Sequence, residues 1–237
     1  MNTLVLYSEK NSPGKSDATG AFIPEARAFA RTHNVPAERC VGMTLAGVPR
    51  LVRRKRTLEH IYTANRNEPL DCLAMFGHGW PDGIQFGFRR SDLYELAARL
   101  AVSCAEDVRV ILYACLAAEN DVRDRDHANV GPGTDGGFAD LLRDDLASWG
   151  KNRCQVDAHK TAGHAAWNPY VVRFRGEAGT MGGYWLVAPG SELWPKWIKK
   201  MRGRAVKNHL RYRFPLMSEL QIKAELAGLP WTELSPA

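Results

Sequence analysis

Two short apolar runs constrain the fold of this chain more than any other feature. Residues 70 to 76 read LDCLAMF and stop at Gly77-His78-Gly79, while residues 108 to 114 read VRVILYA and stop at Cys115. Runs of this length, bounded by turn formers, are typical of strands that are buried on both faces. Because such strands occur mainly in parallel sheets covered by helices, the two runs predict an α/β protein.

The segment between the two runs supplies the connection that a parallel sheet requires. Residues 91 to 102 begin with Ser91 as an N-cap and carry apolar residues at helical spacing. Parallel neighbours need a crossover of about a dozen residues or more, which is usually a helix. Under the right-handed crossover rule, the strands that end near His78 and Cys115 are therefore predicted to lie side by side.

The same patterns assign the other elements of an αβα sandwich. Further strands are predicted at residues 3 to 7, 39 to 45, 155 to 160, 170 to 174 and 184 to 187, and further helices at residues 22 to 33, 50 to 65 and 138 to 149. We expect a doubly wound, mostly parallel sheet flanked by helices. Residues 1 to 190 should form one domain, and residues 191 to 237 a helical basic extension packed on it.

The positive charge of the chain is concentrated near its end. The formal net charge is +6, and residues 196 to 213 contain eight lysines and arginines without an acidic residue. Together with Trp194, Trp197 and Tyr212, these cations could suit nucleic acid or an acidic protein. A solvated helical face packed on the domain is the simpler interpretation, so nucleic acid is a partner that we do not favour.

Cysteine usage and hydropathy indicate the compartment. The chain has five cysteines, which are widely spaced and include no Cys-x-x-Cys pair, so at least one thiol stays unpaired within the chain. The first residues lack the pattern of a signal peptide, and no stretch approaches the roughly 18 apolar residues of a membrane-spanning helix. We expect a soluble, cytoplasmic protein without a membrane partner.

His78 and Cys115 are the candidate catalytic residues. Ligands of open α/β sheets bind outside the carboxyl ends of the strands, where both residues fall. A cysteine attacks as the thiolate, and a neighbouring imidazole can take its proton and later protonate a leaving amine. The N–H groups of Gly79 and Cys115 are the candidate donors to the oxyanion of a tetrahedral intermediate. This chemistry requires no metal and no cofactor.

These two segments also carry a family resemblance. Residues 73 to 79, LAMFGHG, and residues 110 to 118, VILYACLAA, resemble the paired signatures of the caspase, metacaspase, gingipain, separase and CHAT group of cysteine peptidases, most of all its prokaryotic CHAT-like members. In that group one hydrophobic strand ends in His-Gly and the next in Ala-Cys or a close variant. The resemblance covers roughly residues 1 to 188. It implies a caspase-like fold and thiol protease activity, with His78 as base and Cys115 as nucleophile.

The resemblance does not carry over the substrate preference of caspases, because their Gln-Ala-Cys-x-Gly pentapeptide is absent. The candidate substrate-binding residues are instead nearby acids, namely Glu119, Asp121, Asp124, Asp126 and Asp157. A buried carboxylate would bind a guanidinium bidentately, which predicts a preference for arginine or lysine before the cut bond. Arg123 and Arg125 would then be candidate self-cleavage sites. Alternatively, the acids merely neutralise these two arginines in a solvated loop.

Other interpretations of the same residues stay open. Cys115 could be a small buried hydrophobe and His78 a residue that caps its turn. A zinc site formed by His78, Cys115, His159 and His164 is conceivable, although no close pair of these ligands lies on a predicted helix.

The chain could also be a non-catalytic, caspase-like binding module. It would then recognise a protein or nucleic-acid partner through the strand-end crevice or the basic tail. Under the catalytic interpretation the partner is a protein or peptide substrate, with a regulatory protein as a further option.

Overall fold

The computed structural model describes residues 1–9, 19–119, 137–159, 170–175 and 181–185. Within these ranges the strands are β1 (Thr3–Ser8), β2 (Cys40–Met43), β3 (Leu70–Phe76), β4 (Gly79–Trp80), β5 (Gly83–Ile84), β6 (Phe88–Arg89), β7 (Cys104–Tyr113), β8 (Gln155–His159), β9 (Tyr170–Arg175) and β10 (Met181–Trp185). The helices are α1 (Thr19–Thr32), α2 (Arg50–Ala64), α3 (Leu93–Ser103) and α4 (Gly137–Ser148), and single 3-10 turns occupy Ala37–Arg39 and Arg90–Asp92.

Seven strands form the main sheet in the order β10-β9-β8-β7-β3-β1-β2. The five strands from β8 to β2 are parallel, while β9 and β10 add antiparallel pairs at one edge. Strands β1, β3 and β7 are central and parallel, and the pairing of β3 with β7 confirms that the strands ending near His78 and Cys115 lie side by side. All six residues of β1 and six of the seven of β3 are buried, which explains why both appear in the sequence as continuous apolar runs.

Helices cover both faces of the sheet, as a mostly parallel sheet requires. On one face, Phe22 and Ala26 of α1 pack with Val5, Ala74 and Phe76 of the central strands. On the other face, helices α2, α3 and α4 pack on a larger core that extends from β1 to β9. The predicted α/β class, with a mostly parallel sheet between layers of helix, is therefore confirmed.

Several predicted elements differ from the structure or lie outside it. Strand β7 begins at Cys104 rather than residue 108, because its first residues include exposed acids that hide the strand pattern. The small sheet of β4, β5 and β6 was not predicted, since each strand has only two residues. The predicted basic tail, residues 191 to 237, lies outside the described residues. In the part of the chain that the structure describes, no helix combines the length and apolarity needed to cross a bilayer.

Candidate active site

The pairing of β3 with β7 brings His78 and Cys115 to neighbouring strand ends. The two strands are parallel, and their last paired residues are Phe76 and Tyr113. His78 and Cys115 each follow two residues later, and the Gly77 N–H extends the ladder by donating to the Tyr113 carbonyl at 3.3 Å. The register therefore sets the histidine opposite the cysteine at the carboxyl edge of the sheet, where ligands bind in this architecture.

Aromatic contacts show which face of the sheet His78 occupies. The rings of Phe76 and Tyr113 stack with centroids 4.2 Å apart, and Phe29 of α1 contacts both rings edge-on. The His78 imidazole lies edge-on to Phe22 of α1, at a centroid distance of 5.1 Å. Because alternate residues of a strand share a face, His78 continues the row of Phe76 on the α1 side.

Gly79 allows the two strand ends to approach closely. A Cβ atom added at this position would lie 2.6 Å from the Cys115 carbonyl oxygen and 2.7 Å from the Ala114 Cβ. Neither position can be vacated by a side-chain rotation, since one atom is backbone and the other is a Cβ. The glycine after the histidine is therefore required by the contact between the two turns.

Cys115 begins a tight turn whose backbone is strained. Leu116 has a φ of 59°, in the left-handed region that residues other than glycine rarely adopt. Three backbone hydrogen bonds hold the turn: Ala118 N–H donates to His159 O at 3.0 Å, Glu119 N–H to Leu116 O at 2.9 Å, and Ala139 N–H to Ala117 O at 2.8 Å. Such strain costs roughly 1–3 kcal/mol and clusters at active sites, where it orients a reactive group.

Gln85 holds the backbone of His78 from both sides. The His78 N–H donates to the Gln85 side-chain Oε1 at 3.0 Å, and the Gln85 N–H donates to the His78 carbonyl at 2.9 Å. The second bond extends the antiparallel pairing of β4 with β5 by one step. His78 itself is partly exposed at the edge of the sheet.

The other four cysteines are in environments that disfavour the thiolate. Burial raises the pKa of Cys72 and Cys104 to about 12 and that of Cys154 to about 11. Cys40 is partly exposed, and burial also raises its pKa, with Arg27 partly offsetting the shift. Cys115, which is also partly exposed, is the one that follows the carboxyl end of a parallel strand beside a histidine. An unreactive, structural role therefore suits the other four cysteines.

Asp157, a predicted substrate-binding residue, is engaged within the sheet. Its carboxylate is fully buried and accepts hydrogen bonds from Arg109 Nε at 2.6 Å and from Nε and Nη2 of Arg173 at 2.8 and 3.2 Å. Arg109 Nη2 forms an ion pair with it, also at 2.6 Å. These two arginines come from the strands on either side, β7 and β9. The geometry thus favours a structural role for Asp157 over the binding of a substrate cation.

The remaining predicted site residues are only partly described. Glu119 closes the Cys115 turn, and its backbone lies against Gly137 at the start of α4, where a φ of 69° and the nearby Glu119 carbonyl both favour glycine. The acids Asp121, Asp124 and Asp126, the arginines Arg123 and Arg125, and His164 lie outside the described residues. Within the described ranges, no cluster of three or more potential ligands is arranged to hold a metal ion.

Two features of the site were missed from the sequence. The run Pro81-Asp82-Gly83 after the histidine is a turn signal, and it could have predicted the hairpin that brings Gln85 back to His78. The conformation of Leu116 carries no sequence signal, because leucine is a poor residue for the left-handed region.

Fold and site together define an α/β protein with an imidazole and a thiol at adjacent strand ends. A scan of the chain against models of known protein families gives no match, and a search of curated proteins gives none either. The caspase-like resemblance therefore rests on the residues of the two segments alone.

Proposed function

We propose that this chain is a caspase-like cysteine endopeptidase, with Cys115 as nucleophile and His78 as general base. The observation that carries the proposal is the β3–β7 register, which sets the Gly-His-Gly turn against the Ala-Cys turn at the carboxyl edge of a parallel sheet. The strained bend at Leu116 and the burial of three of the other cysteines support the same assignment.

The reaction is acyl transfer through a thioester. His78 takes the proton of the Cys115 thiol, and the thiolate sulfur attacks the carbonyl carbon of the substrate peptide bond. The tetrahedral intermediate collapses when the carbon–nitrogen bond breaks and the His78 imidazolium gives its proton to the leaving amine. A water molecule, deprotonated by His78, then attacks the thioester, which releases the carboxylic acid product and restores the thiol.

The backbone N–H groups of Gly79 and Cys115 are the proposed oxyanion donors. Both belong to the region where the two turns touch, so the contact between Gly79 and the Cys115 carbonyl fixes their separation. An oxyanion donor of this kind contributes roughly 3 kcal/mol to transition-state stabilisation. His78 N–H is directed to Gln85 and is not part of this set.

The proposed preference is for arginine or lysine before the cut bond. It rests on Glu119, at the end of the Cys115 turn, and on Asp121 and Asp124, which follow it in the sequence. A carboxylate in a desolvated pocket pairs with a guanidinium in two parallel hydrogen bonds, and a neutral substrate would leave it unpaired. Because Asp157 is paired with Arg109 and Arg173, the preference depends on Glu119, Asp121 and Asp124.

The test is a peptide-library cleavage profile of the wild type, Cys115→Ala and Cys40→Ala. Cys40 is the matched control because it is also partly exposed but lies at the amino end of β2. We expect cleavage by the wild type and by Cys40→Ala, with a basic residue before the cut, and none by Cys115→Ala. A flat profile for all three proteins would refute the peptidase proposal and favour the binding module. Cleavage after acidic or small residues would refute only the preference.

A further inference from the structure

The hydrogen bonds of Gln85 to His78 exceed what the local strand pairing provides. The bond from the Gln85 N–H to the His78 carbonyl belongs to the β4–β5 hairpin, but the bond from the His78 N–H to Gln85 Oε1 is an additional one made by a side chain. Gln85 as a whole is only 7% exposed. A buried amide at this position is costly unless it forms hydrogen bonds, which indicates a specific role.

Helix α2 in turn holds Gln85 in place. Arg53 Nη1 donates to the Gln85 carbonyl at 2.9 Å, and the Thr57 hydroxyl shares its single proton between the Arg53 carbonyl at 2.9 Å and the Phe86 carbonyl at 3.2 Å. Both donors project from the same face of α2, one turn apart. The backbone that carries Gln85 is therefore tied to a helix that packs in the main core, so its amide is a rigid reference point for the histidine turn.

The histidine turn needs such a reference because glycines flank it. Gly77 and Gly79 allow many backbone conformations. A change in φ or ψ at His78 would therefore change the direction of its imidazole. Fixing both the N–H and the C=O of His78 restricts these dihedrals. The Gln85 side chain also packs on Gly77, where an added Cβ would lie 3.3 Å from Oε1.

We propose that Gln85 is a positioning residue for His78, which sets the direction of the imidazole toward Cys115 by holding the His78 peptide groups. This inference rests on the proposed peptidase function. Gln85 acts on the backbone and not on the reacting atoms, so its loss should lower turnover and leave substrate binding nearly unchanged. A misplacement of about 1 Å in a catalytic group costs on the order of 100-fold in rate.

Two substitutions of similar shape separate positioning from packing. Gln85→Met keeps the length of the side chain and removes the acceptor, whereas Gln85→Glu retains an acceptor oxygen. Gln155→Met is the matched control, because Gln155 is a partly buried glutamine that lies at the amino end of β8. For Gln85→Met we expect kcat to fall by about 10- to 100-fold with KM within about twofold, while Gln85→Glu and Gln155→Met stay within about threefold of the wild type.

The pH profile checks that the carboxylate of Gln85→Glu stays beside His78. The carboxylate of Gln85→Glu favours the imidazolium form of His78, so it should raise the pKa of the acidic limb of kcat/KM. Loss of kcat in Gln85→Met without loss in Gln85→Glu supports the proposal. Equal kcat in Gln85→Met and the wild type would overturn it.

Amide hydrogen exchange of His78 tests the same inference without activity. Gln85→Met should speed exchange at the His78 N–H, while Gln85→Glu should leave it protected. If the wild type shows no Cys115-dependent cleavage, the peptidase proposal fails, and the exchange data still decide whether Gln85 holds His78. Unchanged protection in Gln85→Met would overturn the positioning role whether or not the protein cleaves peptides.

Discussion

Replacing Asp157 with asparagine should destabilise the fold and leave cleavage preference unchanged. The carboxylate is completely buried, and three hydrogen bonds and one further ion-pair contact from Arg109 and Arg173 reach it across two strand boundaries. Asparagine keeps one acceptor oxygen but turns an NH₂ group toward the guanidinium donors. Both arginines would then lose the charge that they pair with.

The size of the loss follows from the exposure of the partners. Breaking a fully buried ion pair costs about 3–5 kcal/mol. Here the side chains of Arg109 and Arg173 are 36% and 26% exposed, so water can solvate part of the released charge. We therefore expect a loss of about 2–3 kcal/mol in the free energy of unfolding. At about 2–4 °C per kcal/mol for a protein of this size, Tm should fall by about 4–12 °C.

The assay is urea and thermal unfolding followed by circular dichroism, with Glu106→Gln as the control. Glu106 pairs with Arg153 at 3.1 Å, and both side chains are more than half exposed, so this carboxylate-to-amide change should cost less than about 1 kcal/mol. Equal losses for Asp157→Asn and Glu106→Gln would refute the buried-network argument. Loss of the basic-residue preference in Asp157→Asn, with stability intact, would instead restore Asp157 as the pocket acid.

Two further predictions concern the turn contact and the buried thiols. Gly79→Ala should lower kcat/KM by about 100-fold, because the added Cβ would push the Cys115 carbonyl away. The control is Gly150→Ala, whose Cβ would meet no atom within 4 Å, and it should lower stability without that loss of activity. Comparable kinetics for the two variants would contradict the argument. The free energy of unfolding should fall as pH rises from about 8 to 11. In the unfolded chain the thiols ionise near pH 8.5, whereas burial raises the pKa of Cys72, Cys104 and Cys154 in the folded state to about 12, 12 and 11. The unfolded state therefore loses protons first and is favoured as pH rises. Urea unfolding across this range checks the slope, which should be shallower in Cys154→Ala; an equal slope in both proteins would exclude this cause.

The sequence predicts the elements of this fold better than their register. The bounds of β3 coincide with its apolar run because six of the seven residues of that strand are buried. The pairing of Phe76 with Tyr113 could not be predicted in this way, because it depends on how rings from distant segments pack together beneath α1. Likewise, an isolated acid such as Asp157 gives no sign that two arginines meet it, because Arg109 precedes it by 48 residues and Arg173 follows it by 16.

The two halves of the candidate site are supported from different parts of the molecule. The His78 turn is tied through Gln85 and Arg53 to α2, while the turn after Cys115 is tied to the end of β8 and the start of α4. Beyond the end of the β3–β7 ladder, these halves meet where Gly79 lies against the Cys115 carbonyl. Small shifts in α2 or at the start of α4 would therefore change the imidazole–thiol distance while leaving the sheet intact. This arrangement explains why the local sequence around each residue indicates its chemistry, whereas their mutual geometry is a property of the whole fold.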